Sequence, residues 1–387
     1  MNPQPQRIAT LFTEKFNTNC SLYFSPGRIN IIGEHIDYND GFVMPAAINK
    51  GIYLAIAPNG SSEINFYAAD LDEQLSVSLN DIKRSSGWAN YVLSVVNEFL
   101  LAEKKVEGFD CVFGGDLPLG AGMSSSAALE GGLAFAINEL FGYGLNRTEL
   151  ALLCQRAEHG FPGVPCGIMD QFANMLGRKN ELILLDCKDA SYRYLPLNLN
   201  GYSIVLLNSM VHHSLAAGEY GLRRKQCEAG LQVIREKFGI NSFRDMDGAE
   251  QLEACRQSMD AIVFNRCLYV VEEINRVKKA EAALKENDIE ALGQLLFSTH
   301  AGLRDLYEVS CPELDFLVEQ ARQHPSVAGA RVMGGGFGGC TINLVNKKSV
   351  PDFIEKSRNA YLQQFNIIPE AYEVETANGT MKITIPS

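Results

Sequence analysis

The sequence predicts an α+β protein, because strand and helix patterns both occur without the strict strand–helix–strand alternation of a doubly wound sheet. Strand patterns are most frequent in the first half of the chain, whereas long helical patterns dominate after about residue 210. At 387 residues the chain is long enough for two domains that each have a core. We therefore predict a first domain at residues 1–200 and a second at residues 201–387.

The first half of the chain begins with strand patterns. β-Branched and aromatic residues bounded by Gly, Pro and Asn predict strands in SLYFSPGRINIIG and GIYLAIAPN, and a hairpin in EINFYAAD and QLSVSL. Apolar residues at helical spacing predict helices in WANYVLSVVNEFLLAEKK, ALEGGLAFAINELFG and NRTELALLCQRAEHGF. Short apolar runs predict further strands in GFDCVFGGD, ELILLDCK and YSIVLLNS.

The second half is mainly helical. The helical spacing of apolar residues predicts four helices, in EYGLRRKQCEAGLQVIREKFG, CLYVVEEINRVKKAEAALKEN, DIEALGQLLFSTHAGLRDLY and ELDFLVEQARQH. Strand patterns return near the end, in GARVMGGG, CTINLVN and AYEVETANGTMKITI.

Composition excludes several classes of protein. A hydrophobic fraction of 46% and a charged fraction of 21% are typical of a soluble globular protein, and the net charge of −12 argues against nucleic-acid binding. We expect no signal peptide and no membrane helix, because no apolar run is long enough. The ten scattered cysteines lack zinc-site spacing and predict reduced thiols in the cytoplasm.

A dense group of polar residues follows the first strand, in GRINIIGEHIDYNDG at residues 27–41. Arg28 interrupts the apolar positions, and Glu34, His35 and Asp37 come shortly after it. So close a grouping of a cation, carboxylates and an imidazole makes this segment a candidate functional site. The alternative for Asp37 is an ordinary turn residue.

The segment DLPLGAGMSSSAALEGG, at residues 116–132, lies between a predicted strand and a predicted helix. Gly120 and Gly122 permit tight turns, and the serines at 124–126 start the helix, where free N–H groups and the helix dipole favour an anion. The segment therefore predicts a phosphate site that is not a Walker A loop. The alternative is a serine run that only caps the helix.

The segment VMGGGFGGCTINLV, at residues 332–345, contains Gly334, Gly336 and Gly339 at GxGxxG spacing. A strand follows these glycines instead of a helix, so we reject a dinucleotide fingerprint. A glycine hairpin that lies against a ligand or another loop fits better. The alternative is a tight β-turn with no partner.

Two acidic residues flank the loop of RAEHGFPGVPCGIMDQFAN, at residues 156–174. Glu158 lies on or beside the apolar stripe of its helix, where a carboxylate needs a partner or a metal. Asp170 lies at the start of the next helix, where an N-cap is the common role of an aspartate. The pair also suits a metal ligand together with a catalytic carboxylate.

These motifs resemble those of the galactokinases. GRINIIGEHIDYNDG looks like the galactokinase signature, and PLGAGMSSSAALE and GGGFGGC resemble two motifs of the wider family of galactokinases, homoserine kinases, mevalonate kinases and phosphomevalonate kinases. WANYV, EHGFPGVPCGIMDQF, LLDC and GEYGLRRKQCE follow in galactokinase order and spacing, so the resemblance covers nearly the whole chain. It implies ATP-dependent phosphorylation of the anomeric hydroxyl of D-galactose, the first step of galactose breakdown.

The resemblance also implies roles for individual residues. It places Glu34, His35, Asp37 and Tyr220 on the sugar, and Asp170 beside the anomeric hydroxyl with Arg28 next to it. It assigns Mg²⁺ to Ser126 and Glu158, and an adenine pocket to Trp88 and Tyr91, for which the alternative is a core-facing helical stripe. It places the phosphates of ATP on Gly120, Ala121, Gly122, Met123, Ser124, Ser125 and Ser126.

The implied fold has two lobes with the active site between them. The N-terminal lobe resembles the second domain of ribosomal protein S5, and the C-terminal lobe is ferredoxin-like. The last strands could pair back onto the first lobe. We expect galactose and ATP as the partners, no nucleic acid or membrane, and a monomer in preference to an oligomer. Two alternatives are a kinase for a related sugar such as N-acetylgalactosamine and a non-catalytic galactose sensor.

Overall fold

The computed structural model describes residues 4–118, 120–212 and 216–384, and it has the predicted α+β architecture. The first half comprises α1 (Gln4–Phe16), β1 (Ser21–Asn30), β2 (Phe42–Val43), β3 (Pro45–Pro58), β4 (Glu63–Ala68), β5 (Glu73–Ser78), α2 (Trp88–Leu101), β6 (Phe109–Gly115), α3 (Ser125–Phe141), α4 (Arg147–Gly160), α5 (Met169–Leu176), β7 (Glu181–Asp186) and β8 (Tyr192–Pro196). The second half comprises β9 (Tyr202–His212), α6 (Ala216–Phe238), α7 (Ala249–Glu253), α8 (Ala261–Glu286), α9 (Ile289–Asp305), α10 (Pro312–Gln323), β10 (Val327–Val332), β11 (Gly338–Asn346), α11 (Val350–Phe365), β12 (Glu370–Val374) and β13 (Met381–Ile383).

A six-stranded sheet forms the centre of the first lobe, in the order β13-β1-β3-β6-β4-β5. Its pairs are antiparallel except for β4 and β6, which run parallel. The C-terminal strand β13 forms one edge, where Leu22 pairs with Ile383 and Phe24 with Met381. The end of the chain therefore belongs to the same sheet as its beginning.

The two faces of this sheet are covered by different helices. Along β1, Leu22 and Phe24 join a small core with Ile8 and Phe12 of α1, whereas Tyr23 belongs to the large core on the other side. This alternation follows from the two-residue repeat of a strand. Helices α3 and α5 pack on β1 and β3, and α2 and α4 pack on those helices.

The second lobe is built on an antiparallel sheet in the order β10-β11-β9-β12. Val205 and Leu207 of β9 share a core with Leu317 of α10 and Phe353 of α11, while Ile204 and Leu206 belong to the large core. That large core contains residues of both lobes. A smaller sheet in the order β2-β7-β8 contributes residues to the large core, and α8 contacts both β2 and β8.

Most of the predicted elements occur in the structure, but not all elements were predicted. The sequence patterns miss α1, α7, α11, β2 and β8. The apolar stripe of α1 is narrow, with Ile8 and Phe12 as its buried residues, and β2 is only two residues long. The ten cysteines are free thiols, as predicted.

Candidate active site

A cleft between the lobes gathers the segments that carry the sequence motifs. Its narrow end is a cavity of about 150 Å³. The cavity is formed by the loop after β1, the end of α4 and the start of α5, together with α6 and the glycine loop before β11. It is lined by Arg28, Glu34, His35, Asp37, Glu158, Val164, Cys166, Gly167, Met169, Asp170, Tyr220, Gly334 and Gly335.

The two glycine loops pack against each other, backbone to backbone. A Cβ atom added to Gly122 would lie 3.1 Å from the carbonyl oxygen of Met333, and one added to Gly339 would lie 3.4 Å from that of Gly120. Both glycines have φ near +75° (+72° and +78°), a conformation that other residues rarely adopt. The hairpin at 332–339 therefore lies against another loop, one of the two neighbours that the sequence predicted.

Arg28 is turned into the cleft by a bulge. The register between β1 and β3 shifts between Pro26 and Arg28, and the backbone N–H of Arg28 donates instead to the carbonyl of Met123 at 3.2 Å. Bulges of this kind redirect a side chain. Arg28 is 5% exposed and also donates to the carbonyl of Gly122, so its guanidinium contacts the phosphate loop.

Arg28 and Asp170 form a two-point ion pair. Nε of Arg28 donates to Oδ1 of Asp170 at 2.7 Å, and Nη2 donates to Oδ2 at 3.1 Å. Burial acts to lower the pKa of Arg28, but the carboxylates of Asp170 and Glu34 outweigh it and raise that pKa. Asp170 lies in the first turn of α5, whose N-cap is Ile168 without a side-chain cap. The capping alternative is therefore wrong for Asp170.

Glu34 is held by the protein from three directions. Nη2 of Arg331 donates to its carboxylate at 3.2 Å, and the side chain of Asn30 and the backbone N–H of Gly334 donate as well. Nε of Arg331 also donates to the carbonyl of Ile31 at 2.9 Å. Glu34 thus joins the segment at 27–41 to the glycine hairpin at 332–339, at the wall of the cavity. Arg331 was missed by the sequence analysis; its only signal is a charge within the apolar strand GARVMG.

His35 lies in a chain of hydrogen bonds that fixes its tautomer. Nε2 is 3.2 Å from the carbonyl oxygen of Gly335, Nδ1 is 2.7 Å from the hydroxyl of Tyr38, and that hydroxyl is 3.0 Å from the hydroxyl of Tyr307. Burial lowers the pKa of His35 to about 4, so the ring is neutral at pH 7. Because a carbonyl only accepts, Nε2 carries the proton and Nδ1 accepts from Tyr38.

Asp37 and Tyr220 complete the polar wall of the small cavity. Asp37 starts a 3₁₀ turn at Asp37–Asn39 and packs so closely on Gly167 that a Cβ there would lie 1.9 Å from Oδ2. Burial, with a further contribution from the carboxylates of Asp170 and Glu34, raises the pKa of Asp37 to about 7. The ring of Tyr220 lies 5.6 Å from that of His35.

The predicted phosphate loop leads into α3. Ser124 has a φ of +58°, and its hydroxyl donates a hydrogen bond to Asp170. Ser124 therefore connects this loop to Asp170 on the acidic side of the cleft. Ser125 and Ser126 form the first turn of α3, where backbone N–H groups lack helical acceptors and can bind an anion. Ala121 and Met123 are buried, whereas Gly120 is exposed.

Ser126 and Glu158 are neighbours, as the metal prediction requires. The hydroxyl of Ser126 lies close enough to the carboxylate of Glu158 to offset part of the rise in its pKa. Glu158 is 6% exposed and accepts from Nε2 of Gln171 at 2.7 Å. Burial and the charge of Asp170 raise the pKa of Glu158 to about 7. No ion pair to Glu158 occurs within the described ranges. A hydroxyl and an unneutralised carboxylate are hard oxygen donors that fit a divalent cation.

No cluster of three or more His, Cys, Asp or Glu residues suited to a metal ion occurs in the described parts of the chain. Ser126 and Glu158 would offer a cation two protein oxygens, and phosphate oxygens and water commonly complete the shell of Mg²⁺.

A second, larger cavity of about 780 Å³ adjoins the start of α3. Ser125 and Ser126 lie at one end, and Trp88, Tyr91 and Phe113 line its apolar wall. The indole Nε1 of Trp88 donates to Glu73 at 2.6 Å. Trp88 and Tyr91, the residues predicted for an adenine pocket, therefore line an apolar cavity that reaches the first turn of α3.

No described helix is both long and apolar enough to span a bilayer.

Comparison with known proteins identifies the class to which this fold and this cleft belong. Residues 90–178 match the family model described as the GHMP kinases N-terminal domain, and residues 280–363 match the GHMP kinases C-terminal model. Mevalonate kinase from Methanococcus jannaschii has the same fold, with a TM-score of 0.67 at 18% identity over 93% of this chain and 99% of that chain. The protein is a GHMP kinase, and the predicted two-lobed α+β fold is confirmed.

Within that class, residues 10–58 match the galactokinase galactose-binding signature. The galactokinase of Thermotoga neapolitana is 43% identical over 93% of this chain and 99% of its own, and that of Clostridium acetobutylicum is 39% identical over 99% of both. A crystal structure of Lactococcus lactis galactokinase complexed with galactose has a TM-score of 0.94 at 32% identity, covering 98% of this chain and 99% of that chain. This chain belongs to the galactokinase family of ATP-dependent sugar kinases.

Proposed function

We propose that this protein transfers the γ-phosphate of ATP to the anomeric hydroxyl of D-galactose, giving α-D-galactose 1-phosphate and ADP. The observation that carries the proposal is the Arg28–Asp170 pair, which lies between the small polar cavity and the phosphate loop. A hydroxyl placed beside Asp170 is next to both the acidic wall and the helix start that suits phosphates. The relatives named galactokinase support the choice of sugar.

In this proposal the small cavity binds galactose. Asp37 and Tyr220 offer the sugar a carboxyl group and an aromatic wall, and Asp170 accepts from the anomeric hydroxyl. Glu34 and His35 already have protein partners, so they act as groups with fixed orientation at the edge of the sugar. Because these acceptors cannot turn, a hydroxyl of the wrong configuration leaves one of them unpaired.

The larger cavity binds ATP. The phosphates lie along the loop from Gly120 to Ser126, on backbone N–H groups at the start of α3, and the base lies between Trp88 and Tyr91. Ser126 and Glu158 hold Mg²⁺. When bound, the cation neutralises charge on the phosphate oxygens and helps to orient them.

Asp170 and Arg28 position the attacking oxygen. Phosphoryl transfer commonly has a loose transition state, in which the nucleophile loses its proton late. The bond from the anomeric oxygen to the γ-phosphorus forms, the bond from that phosphorus to the bridging oxygen of ADP breaks, and the hydroxyl proton passes to Asp170. Arg28 keeps the carboxylate oriented and offsets its charge.

We propose two domains, at residues 1–200 and 201–387, with the last strand of the chain paired to the sheet of the first domain. A monomer in the cytoplasm, without nucleic acid or membrane partners, fits the acidic composition and the reduced thiols.

A sugar panel tests the proposal directly. ADP release would be followed with galactose, glucose and N-acetylgalactosamine at saturating ATP and Mg²⁺. We expect galactose to be preferred over its C4 epimer glucose, by up to about 10⁴-fold, because the reversed hydroxyl leaves a buried acceptor unpaired. Faster turnover of N-acetylgalactosamine would contradict the proposed sugar, and galactose binding without turnover of any sugar would identify a sensor.

A further inference from the structure

Glu130 is a buried carboxyl group that the proposed reaction does not use. It lies on α3, it is 0% exposed, and neither of its oxygens has a hydrogen-bond partner in the described structure. It follows Ser126 by four residues, so both lie on the same face of the helix, about 6 Å apart along its axis. A buried polar group without a partner is costly, and its presence here calls for a ligand or a neighbour.

The helix geometry directs Glu130 toward the proposed metal ligands. Side chains on a helix lean toward its N-terminus, so the carboxyl of Glu130 reaches back toward the turn of Ser126. On α4, Glu158 leans in the same way toward the turn of Cys154, and Glu130 is the carboxylate that contributes most to raising the pKa of Cys154. Glu158 in turn raises the pKa of Glu130, after burial. The two carboxyl groups are therefore close enough for each charge to affect the other residue or its neighbour.

Gln171 adds a third oxygen without a partner to the same region. Its Nε2 donates to Glu158 at 2.7 Å, whereas its Oε1 is buried and accepts from no group in the described structure. The unpartnered oxygens of Glu130 and Gln171 thus both belong to residues that interact with Glu158. Buried oxygen acceptors without a protein partner are satisfied by water molecules. Water molecules bound to a cation direct their protons away from it and can donate to such acceptors.

Glu130 is set back from Ser126 by four residues of α3, about 6 Å along the helix axis, so we assign it to the water shell and not to direct ligation. A cation on Ser126 and Glu158 would retain several water molecules, since Mg²⁺ gives up its waters reluctantly. Groups that hold such waters support metal affinity without touching the metal.

We propose that Glu130 and Gln171 are positioning residues that bind the water shell of the divalent cation held by Ser126 and Glu158. The inference rests on the metal site of the proposed function. It assigns a role to the last residue of the motif SSSAALE, which lies one helical turn below the serine that ligates the metal.

Metal binding without sugar tests this inference. The affinity of Mn²⁺, used as a spectroscopic probe, would be measured by electron paramagnetic resonance in the presence of ADP. We expect Glu130→Gln to weaken Mn²⁺ about tenfold and Glu130→Met to weaken it further, since loss of an outer-shell partner commonly costs 10–100-fold. Glu139→Gln, which changes an exposed residue of the same helix, should leave the affinity unchanged.

Stability separates this role from a structural one. Met fills the space of Glu130 without a buried polar group, so the metal-free Glu130→Met protein should melt no earlier than the parent protein. Earlier melting with an unchanged Mn²⁺ affinity would show a structural carboxyl and overturn the inference. If Glu130→Met does not fold, Gln171→Met serves instead, with weaker Mn²⁺ binding expected and an unchanged affinity contradicting the inference.

The same measurement keeps the two proposals distinct. Unchanged Mn²⁺ affinity in both folded variants would overturn the water-shell role alone. A parent protein that binds no Mn²⁺ with ADP would overturn the metal site and this inference together, and the sugar panel would still test the choice of galactose.

Discussion

The small polar cavity and the larger apolar cavity recognise their ligands by different means. The cavity of about 150 Å³ is lined by Arg28, Asp37 and Asp170, and the groups around it are fixed by hydrogen bonds. The cavity of about 780 Å³ is lined mainly by apolar and backbone groups, with Trp88 and Tyr91 on its wall. In the proposed function, the small cavity therefore distinguishes hydroxyl groups by their orientation. The larger cavity offers apolar surface and a helix N-terminus.

This difference predicts how the two regions respond to mutation. Removing a fixed, buried acceptor leaves a charged partner unpaired and disrupts the position of the reacting group, so its effect on turnover is large. Removing part of an apolar wall lowers the affinity for the ligand roughly in proportion to the contact area that is lost.

The largest effect is expected at Asp170. In Asp170→Asn the side chain keeps its shape, but it loses the charge that pairs with Arg28 and the acceptor for the hydroxyl proton. We expect kcat to fall by at least roughly a hundredfold, the usual lower range for loss of a general base, with galactose still bound. Steady-state kinetics would give kcat, and calorimetry would give the affinity for galactose.

The matched control for that experiment is Asp247→Asn, which removes an exposed carboxylate far from any motif and should leave kcat unchanged. A folded Asp170→Asn protein with a near-normal kcat would show that Asp170 only supports the structure. The contrast between the two cavities would then lose its main support.

An intermediate effect is expected at Trp88. Trp88→Ala removes the indole that lines the apolar cavity, and base–aromatic stacking is worth about 1–3 kcal/mol per base. We expect the KM for ATP to rise about tenfold, at the lower end of that range. The KM for galactose and kcat should stay close to their parent values, because the small cavity is intact.

Two companion variants sharpen this result. Trp88→Phe keeps a ring and should raise the KM for ATP less, while Leu101→Ala changes an exposed residue at the end of the same helix and should have no effect. A change in the KM for galactose as large as that for ATP would show that the two cavities are not independent.

The smallest effect is expected on stability, at Asp37. Its pKa is raised to about 7 in the folded protein, above its value of 3.8 in the unfolded chain. The folded state then binds more protons between those pH values, so the stability of the ligand-free protein falls as pH rises from about 4 to 7. Asp37→Asn removes this loss, and we expect its melting temperature at pH 8 to exceed that of the parent by about 2–4 °C.

At pH 4 the parent protein carries a protonated Asp37, so the two melting temperatures should differ little. Glu158 also has a raised pKa and is present in both proteins, so it cancels in the comparison. A difference that does not change between pH 4 and pH 8 would show that Asp37 is not the group responsible.

Much of the fold could be predicted from local pattern. The β-branched and aromatic residues of β1 and the helical spacing of α3 and α4 depend on residues close in sequence, and the structure has these elements. The elements that were missed have little local signal: β2 has two residues, and the apolar stripe of α1 has only Ile8 and Phe12 as buried residues. β13 was predicted as a strand, but its three residues pair at the edge of a sheet that begins at the other end of the chain. Their pairing is a property of the folded chain.

By itself, the sequence determined the class of protein and the segments that carry its chemistry, because the glycines, serines and carboxylates of the motifs are contiguous. The tertiary structure alone decided their partners. Asp170 binds an arginine 142 residues away, and Glu34 binds Arg331, 297 residues away. It also decided that His35 is neutral and that the carboxyl of Glu130 has no hydrogen-bond partner among the described residues. Burial and the neighbours across the cleft set these properties, and neither follows from spacing along the chain.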